Sequence, residues 1–254
     1  MGIAMFAVAG PILRILDRLG RAPSFLASMA NRRNQTARRK NPLNNYTPTS
    51  HDVFVAAHVK SGTNWMMQIA HQLAFHGNGE YDHIHSVVAW PDVLMMGPMN
   101  HYAIPIEDPS VWMASPEQKR VVKTHLDFDW LPYSEDARYV IVIRDPKDVF
   151  VSSYFFFVKH GPFSFSRFSA DTWLELFLSS GMGVWSSWPV NTAGYWAARH
   201  KPNVLIVPFK SMKKDLRGTV EKVAHFMAEL KRLGSDFPYD EFCDVSPGLK
   251  AGAA

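Results

Sequence analysis

VFVAAHVKSGTNWMMQIAHQL, residues 53–73, is the stretch that decides the fold. Its opening residues are apolar and largely β-branched, suited to a strand buried on both faces. Trp65, Ile69 and Leu73 then recur at helical spacing. Between the two patterns lies a short turn of small residues. A buried strand that passes through a glycine-bearing turn into a helix is the building unit of a parallel α/β sheet. The unpaired N–H groups and positive end of such a helix favour an anion, and Lys60 adds a full charge. Ser61, Thr63 and Asn64 add neutral donors. The bland alternative is an ordinary strand-to-helix connection with a solvated lysine. The order Lys60-Ser61-Gly62-Thr63 also differs from the nucleotide-kinase loop G-x-x-x-x-G-K-[ST], in which Gly precedes Lys and Ser or Thr follows to hold Mg²⁺.

Outward from this stretch the same unit repeats. The pattern predicts strands at Asp52–His58, Arg120–Thr124, Arg138–Arg144 and Asn203–Phe209. It predicts helices at Thr63–Phe75, Pro146–Val158, Asp171–Ser179, Ser187–His200 and Ser211–Leu233. The expected fold is one α/β domain with a central parallel sheet flanked by helices. Sheets of this kind bind ligands at the carboxyl ends of their strands. Two further strand ends carry suitable groups: Lys123-Thr124-His125 and Arg144-Asp145-Pro146-Lys147. Period two places Lys123 and His125 on one face. A histidine beside an anion site can be neutral at physiological pH and act as a general base, although most histidines in a chain are structural. Arg144 can offer a bidentate fork to a second phosphate, with Ser152 two turns into the following helix as a further donor. Pairing of Arg144 with Asp145 or Asp148 is the alternative.

The chain has 254 residues, 47% of them hydrophobic, enough for one sizeable core. No run reaches the roughly 18 apolar residues that a spanning helix needs; Met1 to Leu13 is short and broken by Gly10 and Pro11. With Cys243 the only cysteine, intramolecular disulfides and cysteine-rich metal sites are excluded, which suits a reducing, cytoplasmic setting. The formal charge of +4 is uneven. Residues 1–40 carry eight basic side chains against Asp17 alone, for +7, whereas the rest hold 19 basic and 22 acidic groups, for −3. The basic character belongs to an arm, residues 1–42, and gives no reason to expect nucleic acid on the core. In that arm Ile12, Leu13, Ile15, Leu16 and Leu19 alternate with Arg14, Arg18 and Arg21, the pattern of a short basic amphipathic helix. It reads as a membrane-surface contact, an organelle-targeting segment, or a tail packed lightly on the body.

The three motifs together resemble the sulfotransferases that use 3′-phosphoadenosine 5′-phosphosulfate (PAPS), most closely the cytosolic type. That family shows Y-P-K-S-G-T-T-W, K-T-H-L-P and R-(N/D)-x-K-D-x-x-x-S in this order. The chain offers His58-Val59-Lys60-Ser61-Gly62-Thr63-Asn64-Trp65, then Lys123-Thr124-His125-Leu126, then Arg144-Asp145-Pro146-Lys147-Asp148 with Ser152 eight residues after the arginine. The likeness spans about residues 43 to 230. It implies the family's P-loop-like nucleotide-binding fold over residues 43–254 and PAPS as co-substrate, with no metal. Lys60, Ser61, Gly62, Thr63 and Asn64 would bind the 5′-phosphosulfate, Trp65 would stack on adenine, and Arg144 with Ser152 would bind the 3′-phosphate. His125 would be the general base, and Lys60 and Lys123 would stabilise charge developing in an in-line transfer to a hydroxyl or amine.

The family's Tyr-Pro before the lysine is His58-Val59 here, its second Thr is Asn64, and its aromatic-acid pair after the fourth strand is Phe209-Lys210. A distal R-K-G-x-x-G-D-W-K segment has no counterpart before Ala254, which implies a 3′-phosphate site without that loop. The alternatives to an active enzyme are an impaired or truncated PAPS-binding homologue and a nucleotide-dependent phosphotransferase. Trp90, Met95, Met96, Tyr102, Phe155, Phe156, Phe157, Phe163 and Phe165 favour a small lipophilic acceptor, with core packing as the alternative. A monomer and a homodimer are both compatible with the sequence.

Overall fold

Four short strands, β1 (Asp52–Ala56), β2 (Arg120–Thr124), β3 (Arg138–Ile143) and β4 (Val204–Pro208), pair in parallel in the order β2-β1-β3-β4. The protein is seen in a computed structural model that describes residues 2–92, 104–110, 112–159, 168–179 and 185–227, with the side chains of residues 2–9, 33, 34 and 37 excepted. Met95, Met96, Tyr102, Phe163, Phe165, Cys243 and the segment Gly248–Ala254 lie outside the described residues.

Strand registers such as Val55 opposite Lys123 and Val55 opposite Val140 align the carboxyl ends of β2, β1 and β3. Alternation of side chains then sorts the core into two halves. Val53, Val55, Val140 and Val142 face one cluster, with α3 (Thr63–Ala74) and α8 (Leu216–Phe226) packed over it. Phe54, Ala56, Tyr139 and Ile141 face the other, covered by α5 (Ala170–Ser179) and α6 (Trp188–Ala197) together with residues of the N-terminal segment. The result is a single α/β domain with its parallel sheet between helical layers, as the sequence predicts.

Three helices differ from their predicted extents. The helix at Pro146 is α-helical only to Ser153 (α4) and continues as a π-helix over Tyr154–Lys159. The last α-helical pattern is divided: α7 (Phe209–Lys214) begins directly after β4, and Asp215 caps α8 by accepting a hydrogen bond from the Gly218 amide at 2.8 Å. An aspartate forming this local bond competes with helix continuation, which is why the apolar periodicity alone overran the break. The N-terminal segment forms two helices, α1 (Gly2–Arg18) and α2 (Ala22–Arg39), which turn at Gly20 with φ +65°. Leu13, Ala22 and Ala30 are buried, and Asp17 bonds to the Ser169 amide, the Ser169 hydroxyl and the Thr172 hydroxyl.

Candidate active site

Because β1, β2 and β3 are parallel and in register, their carboxyl ends deliver the three motifs to one edge of the sheet. From β1 the chain enters the turn Ala57–Gly62 and then α3. Two residues of that turn take the left-handed conformation, Lys60 at φ +64° and Gly62 at φ +105°. Gly62 is required twice over: a side chain strains that backbone, and a Cβ there would sit 2.5 Å from the Phe209 ring. Ser61 and Thr63 are buried, and Asn64 is exposed at the start of α3.

The residues from β2 meet this loop directly. The Lys123 ammonium donates to Asn64 Oδ1 at 3.0 Å, lies 3.5 Å from His85 Nε2 and stands 3.6 Å over the Trp90 ring. Burial, with Lys60 adding repulsion and Asp92 opposing it, pulls the Lys123 pKa down to about 7. His125 is buried, with Nδ1 2.8 Å from the Ala57 carbonyl. A carbonyl can only accept, so Nδ1 carries the proton and Nε2 keeps the lone pair. Burial first, then the charge of Lys123, holds this imidazole well below its ordinary pKa, so it is neutral. Trp90 and Trp185 meet its ring edge-on, at 5.8 and 5.4 Å between centroids.

From β3, Arg144 donates to the Lys60 carbonyl at 3.1 Å and lies 4.6 Å over the Phe209 ring. Its Nε is 3.6 Å from Asp148 Oδ2, an ion pair too long for a hydrogen bond. The predicted alternative partner Asp148 is therefore present without saturating the guanidinium. Lys60 is half-buried, with its ammonium 4.1 Å over the Phe156 ring, and burial and Arg144 lower its pKa. Ser152 is half-buried on α4, the helix that starts two residues after Arg144. Trp65 is 9% exposed and meets Phe209 edge-on at 6.0 Å, so it offers a ligand little free surface.

Lys60, Ser61, Gly62, Thr63, Asn64, Lys123, His125 and Arg144 are thus brought to one edge, with Trp65 just behind it. The polar atoms there fit an anionic ligand. Thr63 Oγ1, Trp65 Nε1 and Arg144 Nε are buried without a hydrogen-bond partner among the described residues. Unpaired buried donors at this edge are available to a ligand. Among the described residues no cluster of three or more His, Cys, Asp or Glu could hold a metal.

Several contributors escape the sequence motifs. Asp92 is fully buried and accepts from the His125 amide at 2.9 Å and from Trp185 Nε1 at 3.2 Å. Burial raises its pKa, against the bond from His125. His85, its pKa pushed down to about 3 by burial and Lys123, stacks on Trp90 at 5.0 Å. His58, where the resembled family has Tyr, is buried and lowered to about 4 by desolvation. Asn191 Nδ2 holds the His125 carbonyl at 3.3 Å. None of these has a local spacing that ties it to His125.

Known proteins share the sequence pattern and fold of this chain. The sulfotransferase domain model matches residues 50–231. Sulfotransferase 2A1 of Macaca fascicularis is 30% identical over 188 residues, 70% of this chain and 59% of that protein. Luciferin sulfotransferase of Photinus pyralis is 31% identical over 199 residues, 69% of this chain and 50% of that protein. The chain therefore spans between half and two thirds of the length of these relatives. Among solved structures, retinol dehydratase in complex with retinol and PAP superposes with a TM-score of 0.63 at 23% identity, covering 82% of this chain and 68% of that one. Mouse sulfotransferase SULT7A1 complexed with PAP gives a TM-score of 0.53 at 21% identity, covering 74% and 62%. The structures share the fold, and the domain match extends from just before β1 to just beyond α8: the chain belongs to the sulfotransferase family.

Proposed function

We propose that this protein transfers the sulfuryl group of PAPS to a hydroxyl or amine of a small lipophilic acceptor, with His125 as general base. The observation that carries the reading is the His125 tautomer, fixed by the Ala57 carbonyl, next to a loop and a lysine built for an anion. PAPS, when bound, supplies an activated sulfuryl group on a phosphate leaving group. Lys60, Ser61 and the amides from Gly62 to Asn64 hold its 5′-phosphosulfate, and Arg144 with Ser152 holds the 3′-phosphate. Phe209 and Trp65 border the adenine. His125 Nε2 takes the acceptor's proton as the acceptor oxygen or nitrogen attacks. Lys60 and Lys123 offset negative charge on the oxygen that leaves. This is positioning plus electrostatics, with no covalent enzyme intermediate.

Trp90 and Trp185 around His125, with the half-exposed Phe155 and Phe156 at the start of the π-helix, favour an apolar acceptor. Related folds have been seen with retinol and with androsterone, both lipophilic alcohols. The test is calorimetric titration with adenosine 3′,5′-bisphosphate, paired with a turnover assay of PAPS against phenols, steroids and aliphatic alcohols. Saturable binding and a sulfated product without added ATP or metal are expected. Binding without product from any acceptor would leave a nucleotide-binding homologue, and a requirement for Mg²⁺ and ATP would favour phosphoryl transfer.

A further inference from the structure

The N-terminal helices contribute nothing to the chemistry at the sheet edge, yet their outward faces are not those of an ordinary solvated hairpin. Toward the body, Leu13, Ala22 and Ala30 are buried, and Asp17, the only acid in the first forty residues, is bonded to Ser169 and Thr172. Away from it, Ile12, Ile15 and Leu19 are 57%, 57% and 63% exposed. Their i, i+3, i+7 spacing puts them on one stripe of α1 and the turn that closes it, where the Leu19 amide bonds the Ile15 carbonyl at 3.0 Å. Phe25 and Met29, 43% and 45% exposed, form a second stripe on α2 at i, i+4. Arg14, Arg18, Arg21 and Arg32 are exposed on the same two helices and the turn between them. Single exposed apolar residues are commonplace, but five large ones on two consecutive helices, among arginines and with no outward acid, are not.

We propose that α1 and α2 form an interfacial anchor that seats the protein on an anionic lipid bilayer. The charge selects the occupant. A protein partner of ordinary mixed charge, or a second copy of this basic hairpin, would set arginines against arginines, whereas phosphatidylserine-type headgroups neutralise them while the acyl boundary takes up the apolar stripes. Among the described residues no helix is long and apolar enough to cross a membrane, so the mode is lying on the surface. The anchor does not depend on the proposed chemistry, because no residue of the sheet edge takes part in it.

Sedimentation of the full chain with vesicles tests this. Vesicles of phosphatidylcholine and phosphatidylserine should carry the protein down at low salt, and vesicles of phosphatidylcholine alone should not. Each exposed arginine near an anionic surface is worth roughly a fivefold gain in partitioning, so the pair Arg14→Gln and Arg18→Gln should lose about twenty-five-fold. Ile15→Asp with Leu19→Asp should abolish pelleting. Circular dichroism and adenosine 3′,5′-bisphosphate binding should match wild type in both double variants, because all four positions are exposed. A wild-type protein that stays in the supernatant with the anionic vesicles overturns the proposal. So does equal pelleting with both vesicle types, or variants that change dimerisation in ultracentrifugation while pelleting like wild type.

Discussion

The corner around Lys123 and His125 and the corner around Arg144 and Ser152 stand at the ends of β2 and β3, on either side of β1, but are built differently. In the first, the two titratable groups are buried and held: His125 by the Ala57 carbonyl, its amide by Asp92, Lys123 by Asn64 and Trp90, although His85 Nδ1, Trp90 Nε1 and Asp92 Oδ1 have no partner among the described residues. In the second, Arg144 keeps a bond to the Lys60 carbonyl and a long contact to the exposed Asp148, and its Nε is unsatisfied. A buried corner suits proton transfer, because protonation states there are set by burial. A corner with spare donors is what a ligand phosphate needs. On the proposed reading, chemistry belongs to the first and affinity to the second.

The largest expected effect separates the two corners outright. His125→Ala should lower turnover by roughly 10² or more, the scale of a general base, while adenosine 3′,5′-bisphosphate binds as before in calorimetry. Equal loss of binding would mean that His125 belongs to the ligand site instead. Arg144→Ala should do the reverse, weakening bisphosphate binding by about tenfold or more while kcat at saturating PAPS stays within a few-fold. The asymmetry fails if kcat falls with the affinity.

Gly62→Ala probes the loop that the two corners share. Strain at φ +105° and a Cβ clash with Phe209 should cost about 1–3 kcal/mol of stability, read as a lowered Tm. A variant as stable as wild type would mean that the loop backbone readily rearranges.

A subtler measurement concerns protons. With its pKa near 7, Lys123 is mostly neutral at pH 8 in the free protein. Anionic phosphate oxygens raise that pKa, so binding should take up a proton at pH 8 and weaken as pH climbs above 7. The linkage appears as a dependence of the calorimetric enthalpy on buffer ionisation heat, and Lys123→Met should remove it. Asp92→Asn deletes the anion that opposes this depression, so the window of proton uptake should begin below pH 7. The smallest change expected there is in KM, since Asp92 acts through His125 and Lys123. Proton uptake unchanged by either substitution would place the titration elsewhere.

The four strands were legible because short β-branched apolar runs alternate with turns and helical patterns, and each predicted span contains the observed strand. The loop proposed to hold the anion was legible because strand, small-residue turn and helix are contiguous in the chain. The supports of His125 were not. Asp92 lies 33 residues from it, and Asn191 and Trp185 come from a segment some 60 residues beyond, so only the folded sheet brings them together. The π-helix at Tyr154–Lys159 left no mark either, since Tyr154 to Val158 continue an apolar run that suits an α-helix equally well. Phe209 stood out in the sequence only as a missing hydroxyl. In the fold it bounds Gly62, Trp65 and Arg144 at once.

The central claim is a division of labour at one sheet edge, and transfer of labelled sulfate from PAPS to a lipophilic alcohol, compared between wild type and His125→Ala at saturating PAPS, tests it most directly. Labelled product is expected from wild type, with a loss of roughly 10² or more in the variant. Equal turnover by the two proteins, or no product from wild type with any acceptor while the bisphosphate still binds, would contradict it.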